Sequence, residues 1–158
     1  MADSVTLDPV DLEILRLLQN DARISNRALA VAAGVAPSTC LDRVNRLRRA
    51  GVILGASMRL DPDTLGFPLQ AFLAIQVGPH HREVAGRFVA HVLALPHTRT
   101  LYHMAGQDDY LVHVTATDVH DLQRLVLDGF TARPEVTAVR TNLIFQTWTG
   151  SPLLPAGG

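Results

Sequence analysis

The chemistry of this 158-residue chain is concentrated in one short stretch. Between Pro37 and Ala50 stand four arginines, Arg43, Arg46, Arg48 and Arg49, against the single acid Asp42, although the whole chain carries a formal charge of -1. A guanidinium is a planar fork that meets a phosphate or a guanine edge with two parallel N–H bonds. Cys40, Val44 and Leu47 follow the i, i+4, i+7 spacing of one helix face, which must point inward. Ser38, Thr39, Asp42, Arg43, Asn45, Arg46 and Arg49 then fall on the remaining surface. A cationic patch on a near-neutral protein is what contact with a few phosphates of double-stranded DNA requires. The plain alternative is a solvated polar face, with Arg43 tied to Asp42 or another acid and Arg48 turned toward the protein.

A second stretch, Met104-Ala105-Gly106-Gln107-Asp108-Asp109-Tyr110, could hold a small zwitterion. An amino acid needs N–H donors for its carboxylate and an anion for its ammonium. The backbone around Gly106 and the carboxylates of Asp108 and Asp109 offer both. The plain alternative is that Gly, Gln and Asp are ordinary hairpin-turn residues. Thr137, Arg140 and Thr141 could contribute from a neighbouring strand or subunit.

Seven histidines raise the question of a metal. His80-His81, His103 and His113 show no helical i, i+4 pair and no cysteine or carboxylate at ligand spacing. No metal and no cofactor is expected, and His103 with His113 could instead be a pH-sensitive pair on adjoining strands. The lone Cys40 cannot form an internal disulfide and reads as a small core residue. Every one of the 14 basic residues is arginine, a composition bias that makes each cationic contact a fork. No apolar run approaches the ~20 residues that span a bilayer, and the start Met-Ala-Asp-Ser lacks a secretory pattern. A cytoplasmic protein without a membrane partner is expected.

Elements must position these residues. Asp8 caps a first helix with Pro9 at its start and Asp11 in its first turn; Val10, Ile14, Leu15, Leu17 and Leu18 carry it to about Asn20. Ser25 caps a second helix that stops at Gly34, and Pro37 begins the arginine-bearing third. Together they predict a three-helix, winged-type helix-turn-helix in residues 1–51. Val52 to Leu60 reads as a strand inside a hinge at 52–67. From 68 to 150 the pattern is β-α-β-β-α-β: strands at Leu69–Val77, Thr98–Met104, Tyr110–Thr117 and Val136–Trp148, helices at His81–Leu95 and from Asp118 to about Phe130. That order predicts a ferredoxin-like four-stranded antiparallel sheet with both helices on one face. The fold class is α+β. Residues 151–158, rich in Pro and Gly, read as a flexible tail.

The order and spacing of several short motifs resemble the Lrp/AsnC, or feast/famine, family of transcriptional regulators over about Leu7 to Thr149. They are Leu7-Asp8, Asp11, Ile14-Leu15, Leu18-Gln19 and Asp21-Ala22-Arg23, then Leu29-Ala30, Gly34-Val35, Arg43-Val44 with Leu47, and Gly51-Val52-Ile53. Leu65-Gly66, Gly106 with Asp109-Tyr110, and Val136 to Thr141 continue the series. The resemblance implies a sequence-specific DNA-binding regulator and not an enzyme. Its second domain would sense a small effector, an amino acid in most members, near the hairpin turn and between subunits. Dimers would assemble further, often to octamers. In this family serine usually stands where this chain has Ala36, and a branched aliphatic where it has Cys40. A divergent branch of the same architecture decarboxylates sirohaem through histidines and arginines, which makes His103 and His113 the rival reading. The branch's basic motif around the second strand is missing here.

Overall fold

The computed structural model describes residues 6–79 and 81–155; Met1 to Val5, His80 and the last three residues lie outside it. The chain divides into two compact units, one running to Met58 and resuming at Thr149, the other spanning Arg59–Trp148.

The first unit holds α1 (Pro9–Asn20), α2 (Asn26–Ala32) and α3 (Pro37–Arg49). Each start has a local cause. Asp8 and Asp11 form a reciprocal capping box on α1, and the Ser25 side chain accepts from Ala28 N–H on α2. Helix α3 has Ala36 at its cap with no side-chain bond, and Pro37 as its first residue supplies the preset φ instead. Gly34 and Gly51 end α2 and α3 at φ +69° and +71°, a region that costs other residues more. Ile14, Leu29, Ala30, Cys40, Val44 and Leu47 close the core, with Leu7, Leu15, Leu18 and Ile53 packed around it.

Val52 to Leu60 is not a strand in the single chain. Among the described residues the stretch carries no ladder; Val52 and Ile53 N–H both donate to Leu47 O and finish α3 instead. The tail also differs from the expectation as far as Pro155. The Leu153 N–H donates to Gln19 Oε1 at 2.8 Å, and the Gln19 amide returns a bond to Leu153 O at 2.9 Å.

The second unit is β1 (Leu69–Val77), α4 (Arg82–Ala94), β2 (Thr98–His103), β3 (Tyr110–Ala116), α5 (Val119–Val126), a single π-helical turn (Leu127–Thr131) and β4 (Val136–Leu143). The sheet order is β2-β3-β1-β4, and the three adjoining pairs are antiparallel. Strand periodicity sorts the faces. Leu73, Ile75, Val77, Val112, Val114 and Ala116 are buried against Phe88 and Val92 of α4, Leu122 and Leu125 of α5, and Phe130 of the π turn. The expected second helix is therefore two pieces. The turn widens where Gly129 leaves only 3.3 Å for a Cβ beside Leu95, and His91 Nε2 meets Gly129 O at 2.8 Å. β4 ends at Leu143, opposite Ala71 and earlier than Trp148, and one further backbone bond, Ile144 N–H to Gln70 O at 2.9 Å, follows it.

Candidate nucleic-acid interface and effector site

Helix α3 sets its residues around three directions. Cys40, Val44 and Leu47 face the core, with at most 5% exposure. Ser38, Asp42, Asn45 and Arg49 run along the opposite, exposed side. Thr39, Arg43 and Arg46 lie between, toward α1. Thr39, Asp42, Arg43, Arg46 and Arg49 line one open hollow of about 460 Å³ with Asp8. Arg48 sits exposed on the opposite flank, and is not turned into the protein.

Two of the arginines are engaged by α1. Arg43 Nη1 donates to Asp8 Oδ2 at 2.6 Å and to Asp11 Oδ1 at 2.9 Å. Arg46 Nη2 donates to Asp11 Oδ2. The Asp11 side chain is only 1% exposed, whereas Arg46 keeps 45% and Arg43 25%. Burial alone would raise the Asp11 pKa. The bonds from Arg46, the Asp8 backbone and Arg43 outweigh it and hold the carboxyl below the usual carboxylate range. The backbone N–H of Asp11, followed by Arg43, lowers Asp8 in the same direction. The acids for Arg43 are thus not Asp42 but the half-exposed Asp8 and the buried Asp11, both at the start of α1. Among the described residues Arg49 makes a single long bond, 3.4 Å, to Asn45 O.

In sequence, Asp8 reads as a cap and Asp11 as a first-turn acid, with no partner on α3 for either. A signal was present: Asp11, Ile14, Leu15 and Leu18 follow the i, i+3, i+4, i+7 spacing of the apolar stripe, so a charge stands at a core position.

The Met104–Tyr110 segment is the β2–β3 hairpin turn, closed by Met104 N–H donating to Asp109 O at 2.7 Å. Ala105 and Gly106 are exposed at its tip. Its two carboxylates do different work. Asp109 Oδ2 accepts from Val77 N–H at 2.8 Å and pins the turn to β1. Asp108 Oδ2 accepts from Arg140 Nη2 of β4 at 2.5 Å, with side-chain exposures of 20% and 49%. Tyr110 is 4% exposed, stacked on His103 at 5.0 Å and set against Phe88 at 4.9 Å. Burial, then the Asp109 charge, push its phenol up. Tyr110, Asp109, His103, Pro79, His81 and Arg82 border a hollow of about 250 Å³ at the start of α4.

The remaining expected residues do not all converge. Thr141 lines a different hollow with Leu122 and Val126 of α5, and strand alternation puts Arg140 on the other face. Thr137 is at the β4 bulge, its methyl carbon 3.5 Å from where a Cβ on Gly78 would stand. His103 and His113 do not pair: His103 lies opposite Tyr110 and His113 opposite Thr100. His113 meets Gln70 Oε1 at 3.1 Å, and burial followed by Arg99 lowers its pKa. His80, part of the histidine expectation, lies outside the described residues. Among the described residues no three His, Cys, Asp or Glu groups converge as metal ligands, and no helix is long and apolar enough to cross a membrane.

A helical head offering an arginine-rich third helix, carried with a βαββαβ unit that has an ion-paired hairpin, defines a two-unit helix-turn-helix protein. The model for winged helix-turn-helix DNA-binding domains matches residues 7–53, and that for the Lrp/AsnC ligand binding domain matches residues 70–154. The chain is 41% identical over 148 residues to the HTH-type transcriptional regulator AldR of Mycolicibacterium smegmatis, covering 93% of this chain and 86% of that one. It is 37% identical to the leucine-responsive regulatory protein of Rhizobium meliloti over 92% of this chain and 94% of that one. The crystal structure of a Neisseria meningitidis transcriptional regulator in complex with L-Met superposes with a TM-score of 0.87 at 27% identity, covering 95% and 97% of the two chains. The chain belongs to the Lrp/AsnC family and is a DNA-binding transcriptional regulator of that type.

Proposed function

We propose that the protein reads a duplex through the outward stripe of α3 and that a free amino acid, bound at the β2–β3 hairpin, adjusts its assembly or its affinity for DNA. The observation that supports the first half most is the hollow that gathers Thr39, Asp42, Arg43, Arg46 and Arg49 on one exposed face of the head. Ser38, Thr39 and Asn45 add short donors and acceptors, Asp42 can accept from a cytosine amino group, and Arg49 supplies a fork for guanine or phosphate.

For the second half, Asp108 and Arg140 place opposite charges 2.5 Å apart at a half-open position. An amino acid can insert between them, its carboxylate taken by Arg140 and its ammonium by Asp108. Met104, Ala105, Gly106, Asp109 and Tyr110 belong to that turn, whereas Thr137 and Thr141 lie elsewhere on β4. The Neisseria relative was crystallised with L-Met, which supports the ligand class. No resident cofactor is needed for either task. Homodimers place two α3 helices on successive half-sites of a pseudo-palindrome, and octamers extend the array. The cytoplasm is where such a regulator meets both its DNA and its effector.

Operator binding followed by fluorescence anisotropy across a salt series tests the reading. Affinity should fall steeply with salt, and Arg49→Ala should weaken binding by about 1–3 kcal/mol with the fold intact. Unchanged affinity in Arg49→Ala would place the interface elsewhere.

A further inference from the structure

The arrangement between α1 and α3 has a consequence for how strongly the head attracts DNA of any sequence. The four arginines of α3 do not act as four free cations. Asp42, Asp8 and Asp11 stand among them, and Arg43 and Arg46 are in direct contact with the α1 carboxylates. Asp11 is the centre of this cluster. Its side chain is 1% exposed, so water cannot take over the role of its partners. Both of its oxygens are used: Oδ1 by Arg43, and Oδ2 by Arg46 and by the Asp8 N–H at 3.1 Å. Arg43 bridges two acids and is held from both sides. Arg46 has one acid and remains half open to solvent.

Attraction to phosphates is sequence-independent and scales with the number of cations that replace condensed counterions. A guanidinium already neutralised by a carboxylate adds little to it. Discrimination by base edges is a separate contribution, made on this face by Ser38, Thr39, Asp42, Asn45 and Arg49.

We infer that Asp11 is a specificity-setting residue of the DNA interface, which restrains Arg43 and Arg46 on α1 so that the head binds random duplex weakly and leaves discrimination to the outward stripe of α3. Asp8 reinforces the restraint on Arg43. The two arginines fix the angle of α3 against α1 more than they grip phosphates. The inference rests on α3 meeting the duplex as proposed above, and the two are separable by experiment.

The test is the salt dependence of binding to a labelled duplex of random sequence, measured for the full chain. Asp11→Asn keeps the side-chain shape and removes the charge. It frees Arg46, while Arg43 keeps Asp8, so the slope of log Kobs against log salt should steepen by about 0.9. Affinity for random duplex at ~50 mM salt should rise roughly three- to tenfold, while the ratio of operator to random affinity falls. Asp11→Glu, which keeps the charge, should restore the wild-type slope. An unchanged or shallower slope in a cooperatively melting Asp11→Asn protein overturns the inference. Should Asp11→Asn fail to fold, Arg46→Ala decides. A restrained Arg46 predicts an unchanged slope on random duplex, and a loss of about 0.9 shows a phosphate contact and overturns it. Wild-type protein that binds neither operator nor random duplex would instead refute the α3 interface itself.

Discussion

Replacing Asp11 by alanine should expose the head as the acid-sensitive part of the molecule. The Asp11 carboxylate accepts from Arg43, Arg46 and the Asp8 backbone, and its side chain is 1% exposed. Breaking a buried ion pair from one side costs about 3–5 kcal/mol, because the partner charge is stranded. Here Arg46 is half exposed and Arg43 keeps Asp8, so both cations can be resolvated in part. The cost should lie near the lower end, about 2–4 kcal/mol at neutral pH. For a unit of this size each kcal/mol moves the midpoint by roughly 4–8 °C. The sign with pH follows from the depressed carboxyl. The folded pKa of Asp11 lies below its ordinary 3.8, so its stabilisation is complete above that value and fades as pH falls through the folded pKa. Wild type and Asp11→Ala should therefore differ widely at pH ~7 and converge in strong acid, below the folded pKa. Calorimetric melts of both proteins over a pH series give the comparison. A constant gap across the series, or none at pH ~7, would show that the charge of Asp11 does not hold the head together.

Two further outcomes follow from local geometry. Ala36 has the extended backbone of a cap, φ -67° and ψ 148°, without the side-chain oxygen, so Ala36→Ser should stabilise the head by about 1 kcal/mol, seen as a raised melting point. Arg140→Ala should abolish the rise in melting temperature that a bound amino acid confers in a thermal-shift screen, while leaving operator affinity without effector unchanged; a retained shift would move the effector away from the Asp108–Arg140 pair.

Most of the architecture was legible because it is written locally. Asp8, Ser25 and Asp118 each cap a helix within three residues of chain, and alternation in Tyr110–Ala116 marks one buried face. What was not legible depended on partners distant in sequence. The strand expected at Val52–Leu60 has suitable residues but forms no ladder among the described residues, and β propensity expresses itself only against a paired strand. The second long helix reaches its expected end near Phe130, but its last turn, Leu127–Thr131, is a π turn with Gly129 close against Leu95. No helical periodicity encodes a contact to another element.

The site shows the same division more sharply. Spacing alone placed Thr39, Asp42, Arg43, Arg46 and Arg49 on one side of α3, and they do share a hollow. Spacing could not say which arginines are free, since Arg43 and Arg46 are answered by acids 32 to 35 residues earlier. The informative residue was the misfit. A capping aspartate belongs at a helix surface, where water and backbone N–H groups satisfy it. Asp11 caps and yet occupies the apolar stripe, so the lone pairs the cap leaves over have to find cations inside the fold. A carboxylate in that position predicts a guanidinium on the facing helix, and the facing helix is the one that carries four of them. Counting charges along α3 therefore overstates its attraction for phosphate, because the acids that offset those charges are on α1.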